Sequence, residues 1–266
     1  MAGDPTHPDR RAQALFDLTD KVAVVTGGSR GLGAAMVRAF AANGAHVVIA
    51  SRKGDACEAL AAEIRRETGR EALGVACHVG CWEACDTLVE RSYAAFGRVD
   101  VLVNNAGMSP LYPSLVELEE VLYDKVLAVN LKGPFRLTSL VGTRMRAGAG
   151  GSIINVSSVA AVQPTPIELP YAVAKAGLNN LTLGMARAFG PKVRVNCIMP
   201  GPFLTDISKA WDLEAFERSA RQHIPLQRGG EADEITGAAL YLASDASAYT
   251  TGAILKVDGG AVYAPA

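Results

Sequence analysis

Apolar and polar positions along the chain form two kinds of segment that follow each other in turn. Short apolar runs rich in β-branched residues predict buried strands, beginning with KVAVVTGG at 21–28 and AHVVIAS at 45–51. The segment between them, GLGAAMVRAFAANG at 31–44, has helical spacing and ends at an Asn-Gly stop signal. Strands that are apolar throughout and separated by helices predict a parallel sheet covered on both faces. With right-handed crossovers this is a doubly wound, Rossmann-like α/β fold.

The same alternation continues to the end of the chain. Further strands are predicted within 71–79, 99–107, 150–158, 193–201 and 252–260, and further helices at 55–68, 81–96, about 117–146, 171–189 and 231–244. These make a sheet of about seven strands. No linker, composition shift or repeat divides the pattern, so we expect one domain over 19–266 behind an N-terminal tail at 1–18.

One stretch, 203–228, lies outside the alternation. It places Phe203, Ile207, Trp211 and Phe216 among charged residues. A pair of surface helices would explain this pattern. The alternative, which we favour, is a lid over a pocket, because the stretch directly follows the carboxyl end of a predicted strand.

Composition and charge narrow the class of protein. The chain has 266 residues, 49% of them apolar, and a net charge of -1, which argues against binding driven by nucleic-acid phosphates. No apolar stretch approaches the length of a membrane span, and the N-terminus lacks an apolar signal core. Five Cys, an odd number, fit a reducing compartment better than a disulfide framework. We therefore expect a cytoplasmic protein without a membrane or nucleic-acid partner.

Three cysteines and a histidine lie close together in sequence. Cys81 and Cys85 are spaced to share one helical face, and Cys77 and His78 are near them, as a metal site would require. Cys77 and His78, however, are neighbours at a predicted strand end and would point to opposite faces. We therefore predict no metal, and buried or half-buried thiols.

A glycine-rich turn, TGGSRGLG at 26–33, joins the first predicted strand to the first predicted helix. Gly27, Gly31 and Gly33 leave room for backbone N–H groups to approach a pyrophosphate at a helix N-terminus. No Gly-Lys-Ser/Thr follows, which excludes a Walker-type phosphate loop. The turn therefore predicts dinucleotide binding.

Five motifs occur together in one order. They are the glycine-rich turn, NNAG at 104–107, NVSS at 155–158, YAVAK at 171–175 and PG at 200–201. In this combination the chain, over about 19–260, resembles the short-chain dehydrogenase/reductase family. The likeness is strongest to bacterial 3-oxoacyl-thioester reductases and to gluconate- and sugar-type dehydrogenases. The resemblance implies an oxidoreductase that transfers hydride between a nicotinamide cofactor and a carbonyl/secondary alcohol pair, assembled as a homotetramer.

The resemblance also implies four catalytic residues. Tyr171 would exchange a proton with the substrate oxygen, and Ser158 would hydrogen-bond that oxygen. Ser157 is the rival, but strand alternation points it the other way. Asn130 would hold a water on the proton path, although it could equally be a polar residue that kinks its helix.

Lys175 would hold the nicotinamide ribose in such an enzyme. It also follows Tyr171 by one helical turn, so its ammonium can approach the phenol. A free tyrosine has a pKa near 10, and a nearby positive charge would lower it. The spacing therefore predicts a tyrosine activated as a base.

The choice between NADP and NAD depends on the end of the second strand. Ser51 is neutral where an acidic residue would select NAD, and Arg52 and Lys53 can pair with a 2′-phosphate. Arg30, inside the glycine-rich turn, resembles a family position that accompanies NADP. We predict that NADP(H) is preferred and NAD(H) possible; the alternative is that these are solvated surface charges.

Other cofactor contacts follow from the resemblance. Where the family usually has Asp-Val at the third strand's end, this chain has His78 and Val79. The imidazole could contact adenine by stacking or hydrogen bonding, or be an ordinary polar strand end. Asn104 should line the cofactor and also brace the sheet. The further predicted contacts are Ser29, Leu32, Asn105, Ala106, Gly107, Pro200, Gly201 and Thr205.

The substrate is the least determined part of the prediction. Gln163, Ile167, Trp211 and Phe216 suggest a mixed, mostly apolar pocket. A 3-oxoacyl thioester or small ketone leads, and a polyol or sugar is the alternative. A cofactor-binding sensor without turnover would be a different class, but the four catalytic residues are all present.

Overall fold

The computed structural model describes residues 11–205, 208 and 212–262. The described strands are β1 Val22–Thr26, β2 His46–Ser51, β3 Ala72–Ala76, β4 Val101–Asn104, β5 Gly151–Val156, β6 Val193–Pro200, β7 Phe203–Leu204, β8 Gly230–Glu231 and β9 Ile254–Val257. The described α-helices are α1 Ala12–Leu15, α2 Gly31–Ala42, α3 Gly54–Thr68, α4 Trp82–Phe96, α5 Glu120–Leu127, α6 Gly133–Ala147, α7 Leu169–Phe189, α8 Leu213–His223 and α9 Thr236–Ala243.

Seven of these strands form one parallel sheet in the order β3-β2-β1-β4-β5-β6-β9. The order reverses between β1 and β4, where the chain crosses from one half of the sheet to the other. This confirms the Rossmann-like α/β fold with about seven strands, and it places the carboxyl ends of β1, β4, β5 and β6 along one edge.

Helices cover both faces of the sheet because each strand sends alternate side chains in opposite directions. Val25 points into a core that contains residues of α2, α3 and α9. Val24 points into a second core that contains residues of α4, α6 and α7. Both side chains are at most 2% exposed, as expected for a sheet buried on both sides.

A chain of buried polar side chains connects the middle of the sheet to the helices. Asn104 Nδ2 donates to Asn155 Oδ1 at 2.9 Å and to Thr138 Oγ1 at 3.0 Å. Asn155 Nδ2 donates in turn to Thr182 Oγ1 on α7 at 2.9 Å. These bonds link β4, β5, α6 and α7, so Asn104 braces the sheet as the sequence predicted.

The helical stretch predicted at about 117–146 is interrupted. Between α5 and α6 the backbone forms a π-turn at Ala128–Lys132, with Asn130 at its centre. Such a turn adds a residue to the helix and is frequent at functional sites. Asn130 therefore lies where the helix departs from α-helical hydrogen bonding.

Within the stretch 203–228 the structure describes residues 203–205, 208 and 212–228. The stretch begins with β7, which pairs with β8, and it contains the helix α8. Ile207 and Trp211 lie outside the described residues.

At the N-terminal end of the chain, Leu18, assigned above to the tail, is 2% exposed and belongs to the core on the α2 side. None of the described helices combines the length and apolar character needed to cross a bilayer.

Candidate active site

The glycine-rich turn is closely packed between β1 and α2. Gly27 has a positive φ of 64°, which favours glycine. A Cβ on Gly33 would lie 2.2 Å from the Gly27 carbonyl oxygen and 2.6 Å from Asn105 Nδ2. Only glycine fits there, so the turn folds directly onto the first turn of α2. Gly31 begins that helix and also has a positive φ, and the arrangement suits a pyrophosphate at the helix N-terminus.

Residue Thr26 joins this turn to the loop that follows β4. Its Oγ1 accepts hydrogen bonds from the backbone N–H groups of Asn105 at 3.0 Å and Ala106 at 3.1 Å. Asn105 Nδ2 donates back to the carbonyl oxygens of Thr26 and Gly27. The loops after β1 and β4 are therefore held as one wall of a cleft.

Two hydroxyl groups meet at the end of β2. Ser29 Oγ donates to Ser51 Oγ at 3.0 Å, so the glycine-rich turn and the β2 end are in contact. Beside them Arg30, Arg52 and Lys53 are exposed. Within the described ranges, the side chains of these three residues form no hydrogen bond or ion pair, which leaves three cationic groups available to an anionic ligand. Leu32, by contrast, packs against the core.

Past the end of β3, His78 and the cysteines have distinct environments. His78 Nδ1 accepts a hydrogen bond from the Gly80 N–H at 3.1 Å, while Val79 is 8% exposed and faces the core.

Of the cysteines, Cys77 and Cys85 are buried, as are Cys57 and Cys197. Cys81, however, is exposed at the N-terminus of α4, so the prediction of a buried or half-buried thiol is wrong there. The described residues contain no group of three or more His, Cys, Asp or Glu side chains suited to a metal.

Ser158 and Tyr171 are brought together at the cleft. Ser158 begins a single 3-10 turn after β5, and Tyr171 lies in the first turn of α7. Ser158 lies near enough to the Tyr171 phenol to lower the pKa of that group. Ser157 is 2% exposed and donates instead to the Lys175 carbonyl oxygen at 3.2 Å. Of the two serines, Ser158 faces the phenol, as strand alternation predicts.

Lys175 lies beneath the tyrosine ring. Its Nζ is 5.5 Å from the Tyr171 ring centroid and donates to the Val156 carbonyl oxygen at 2.7 Å. The residue is 3% exposed, and this burial lowers the pKa of Lys175 to about 8. The ammonium therefore points at the end of β5 rather than at the phenol oxygen.

The sequence-based expectation of an acidified tyrosine is not met in this structure. Desolvation raises the pKa of Tyr171 to about 12, the hydrogen bond with Ser158 lowers it, and the carboxylate of Glu168 raises it. Lys175 is not among the groups that shift this pKa. At neutral pH the phenol therefore holds its proton.

Asn130 uses its side chain to fix the loop after β4. Its Nδ2 donates to the carbonyl oxygens of Met108 at 2.8 Å and Val126 at 2.9 Å, and its Oδ1 accepts from the Met108 N–H at 3.2 Å. Both donor hydrogens are used, so only a lone pair on Oδ1 remains for a water. A Cβ on Gly107 would lie 3.0 Å from that Oδ1 and 3.6 Å from Lys175 Nζ, which places Gly107 between the two side chains.

The far wall of the cleft follows β6. Pro200 ends that strand, and the Gly201 N–H donates to the Val257 carbonyl oxygen at 2.9 Å. A Cβ built on Gly31 would lie 3.6 Å from Thr205 Cβ. Thr205 therefore faces the glycine-rich turn, and a ligand on the turn would pass beneath it.

Sequence reasoning missed Tyr112, which joins two loops beside the predicted catalytic residues. Its hydroxyl donates to the Pro166 carbonyl oxygen at 2.6 Å and accepts from the Leu169 N–H at 3.0 Å. The loop after Gly107 is thereby tied to the entrance of α7. Ile167 is 58% exposed in this region, while the predicted pocket residue Phe216 packs near Gly229 on the α8 side.

Comparison with known proteins gives a consistent result. A family model described as enoyl-(acyl carrier protein) reductase matches residues 27–262. The chain is 40% identical over 250 residues to an L-rhamnose 1-dehydrogenase (NAD(P)(+)) of Azotobacter vinelandii, covering 91% of this chain and 97% of the relative. It is 37% identical over 245 residues to the human dehydrogenase/reductase SDR family member 4, covering 91% and 88%.

A solved structure has the same fold over most of its length. It is a 3-oxoacyl (acyl-carrier-protein) reductase of Agrobacterium tumefaciens with NADP bound, which superimposes with a TM-score of 0.88 at 32% identity. The match covers 94% of this chain and 98% of that structure. Sequence and fold thus agree from the glycine-rich turn to the last strand.

Proposed function

The chain belongs to the short-chain dehydrogenase/reductase family of oxidoreductases, and from that premise we propose that it is an NADP(H)-dependent ketone reductase. The observation that carries the proposal is the cluster at the cleft. Ser158 lies near enough to the Tyr171 phenol to lower its pKa, and Lys175 Nζ lies 5.5 Å from the tyrosine ring centroid. These are the groups that a carbonyl oxygen needs when it gains a proton.

Each residue has one task in this reaction. When bound, the nicotinamide supplies the hydride. Ser158 and Tyr171 hydrogen-bond the substrate oxygen and polarise the carbonyl, and Tyr171 Oη gives it the proton. Lys175 is the proton source that replenishes Tyr171, by way of a water at the remaining lone pair of Asn130 Oδ1. Asn130 also fixes the loop that carries Gly107.

Protonation of Tyr171 supports reduction as the favoured direction at neutral pH. With its pKa raised to about 12, chiefly by desolvation, the phenol is a proton donor and not a base. Alcohol oxidation needs the opposite proton transfer, so it should gain rate as pH rises.

The preference for NADP(H) is supported by charge at the β2 end. Arg30, Arg52 and Lys53 are exposed without partners among the described side chains, and Ser51 offers a hydroxyl with no negative charge. An arginine fork suits a phosphate, and no carboxylate stands there to repel one. The relative from A. tumefaciens carries NADP in its structure.

Apolar side chains at the rim support a ketone, including a 3-oxoacyl thioester, as substrate. Leu111, Val162 and Ile167 are 73%, 48% and 58% exposed on the two loops that Tyr112 joins. On the α8 side the arginines are paired with glutamates, Arg221 with Glu217 for example. These pairs offer little free positive charge to an acidic carrier protein, which favours a small substrate.

A polyol or sugar is the second candidate. It is favoured by the L-rhamnose 1-dehydrogenase relative, which shares 40% identity over 97% of its length. The same proton chemistry would serve it in the oxidative direction.

The first test is a comparison of initial rates with NADPH and NADH on acetoacetyl thioester, simple ketones and sugars. We expect NADPH and a ketone or thioester to give the highest kcat/KM. Higher rates with NADH would overturn the cofactor preference. Turnover of sugars alone would favour a polyol or sugar dehydrogenase over a ketone reductase.

Two variants make the test specific. Arg52→Ala should weaken NADPH binding by about tenfold and leave NADH binding unchanged, because it removes a charge-assisted bond to the phosphate. Arg91→Ala, an exposed arginine on α4, is the matched control. Tyr171→Phe should lose turnover while it still binds NADPH. Unchanged turnover would reject the mechanism. If the variant instead loses NADPH binding, circular dichroism shows whether it has misfolded.

Assembly and location complete the proposal. A groove of about 640 Å³ lies between α5, α6 and α7, lined by Leu127, Leu131, Phe135 and Leu181 among others. We propose that it is closed in a homotetramer. All five cysteines are free thiols, which supports a location in the reducing cytoplasm.

The stretch 203–228, anchored by the β7–β8 pair, would be the lid over the substrate pocket.

A further inference from the structure

The imidazole of His78 is held in one orientation and one tautomer. Its Nδ1 accepts a hydrogen bond from the Gly80 N–H at 3.1 Å. A ring nitrogen that accepts this bond cannot carry a proton, so the proton of the neutral ring is on Nε2. His78 therefore presents a donor, Nε2–H, on the side of the ring that faces away from Gly80.

The backbone around the ring makes this orientation specific. A Cβ on Gly80 would lie 2.9 Å from His78 Cε1 and 3.2 Å from Val129 Cγ2. The ring thus packs over a residue that has no side chain, and His78 is half-buried. Among the described residues, no group is hydrogen-bonded to Nε2.

Strand order fixes what His78 would meet. The glycine-rich turn follows β1, and Tyr171 lies on the β5 side of it. A dinucleotide with its pyrophosphate on that turn and its nicotinamide beside Tyr171 must extend its other half toward β2 and then β3. Ser51 ends β2 and Arg52 follows it, and both residues suit the ribose. The base therefore reaches the end of β3, where His78 stands.

We propose that His78 recognises the cofactor's base as a hydrogen-bond donor, and that this enzyme consequently accepts a purine with oxygen in place of the 6-amino group. In adenine the acceptor for Nε2–H is N1; in hypoxanthine it is O6. A carboxylate at this position, which the family resemblance led us to expect, can only accept. It would select the 6-amino group of adenine and repel O6. This inference rests on the proposed dinucleotide site.

The test measures binding and not turnover. NADPH and its hypoxanthine analogue are titrated into the wild-type protein and into His78→Asp and His78→Phe at pH 8. Dissociation constants come from calorimetry. Asp at 78 can still accept the Gly80 N–H bond, as aspartates do in turns, so this variant keeps the local fold.

The expected pattern is different for each protein. Wild type should bind both cofactors within about threefold, and His78→Asp should favour NADPH by more than about tenfold. His78→Phe should weaken both cofactors alike, since it keeps a ring and loses the donor. Arg91→Ala is the control that should match wild type.

Two results would overturn the inference. One is a wild-type preference for NADPH as strong as that of His78→Asp, and the other is wild-type affinity for both cofactors in His78→Phe, which would mean that the ring only stacks. Failure of wild type to bind NADPH at all would instead reject the proposed function, so the two failures are distinct.

Discussion

At the residue scale, Lys175 is the side chain whose burial costs most at the site. It is 3% exposed and has a hydrogen bond to Val156 O, and burial lowers its pKa from 10.5 to about 8. The unfolded chain therefore binds more protons than the folded one between about pH 8 and 10.5. Stability should rise with pH across that window, and below pH 8 the full cost, about 3 kcal/mol, is present.

Replacing Lys175 by methionine measures how much the burial of its charge destabilises the fold, independently of any role in catalysis. In Lys175→Met the pH-dependent term is absent, so the variant's stability relative to wild type should fall by up to about 3 kcal/mol from pH 7 to pH 10. Urea unfolding of the cofactor-free proteins at both pH values measures this. Lys21→Met, an exposed lysine, should track wild type at both. A constant difference for Lys175→Met would mean that the buried ammonium is not destabilising.

The proximity of Tyr171 and Lys175 could be predicted from the sequence and is confirmed by the structure, but the charge states of these two side chains could not. The four-residue spacing places Tyr171 and Lys175 on one helical face whatever the rest of the chain does. The direction of the ammonium depends on where β5 ends, since Val156 O takes its hydrogen bond. That position is set by the sheet, and so the expected lowering of the Tyr171 pKa was wrong for this structure.

At the element scale, the junction of β1 with α2 depends on the absence of one side chain. In Gly33→Ala the new Cβ would lie 2.2 Å from Gly27 O, so the turn must open. We expect a loss of about 2–4 kcal/mol in stability, comparable to overpacking of a core, and loss of NADPH binding. Thermal unfolding and titration with NADPH check both.

Gly237→Ala on α9 is the matched control for that substitution. A Cβ there would meet nothing within 4 Å, so alanine's better helix propensity should act alone. The variant should gain about 0.5–1 kcal/mol. Equal destabilisation of both variants would show that backbone conformation, and not the approach of Gly27 O, decides the effect at 33.

Element types could be read from periodicity, whereas local irregularities could not. Helical spacing continues through 117–146, and nothing in it marks the π-turn at Ala128–Lys132. The turn is stabilised by Asn130 bonds to Met108, 22 residues away. The bond that Tyr112 makes to Pro166 spans 54 residues. Both depend on contacts that form only when the sheet is complete.

At the scale of the whole molecule, the groove between α5, α6 and α7 is the feature that the single chain leaves open. Its lining is mainly apolar, and Phe135 on it is 42% exposed. Apolar area of this kind is removed from water when a second copy covers it, and such patches mark interfaces. Helical faces of one copy against the same faces of another would give a two-fold contact, as a homotetramer requires.

Assembly can be tested by placing one charge in that groove. Wild type should scatter light as about four chains of 27.8 kDa, and Phe135→Glu should give a smaller mass because a carboxylate buried at an apolar interface costs several kcal/mol. Val116→Glu is the control, since Val116 is 92% exposed on the loop after β4; it should keep the wild-type mass. A monomeric wild type would reject the homotetramer. A tetrameric Phe135→Glu would instead move the interface to another surface, such as the β9 edge of the sheet, where Ile254 is 37% exposed.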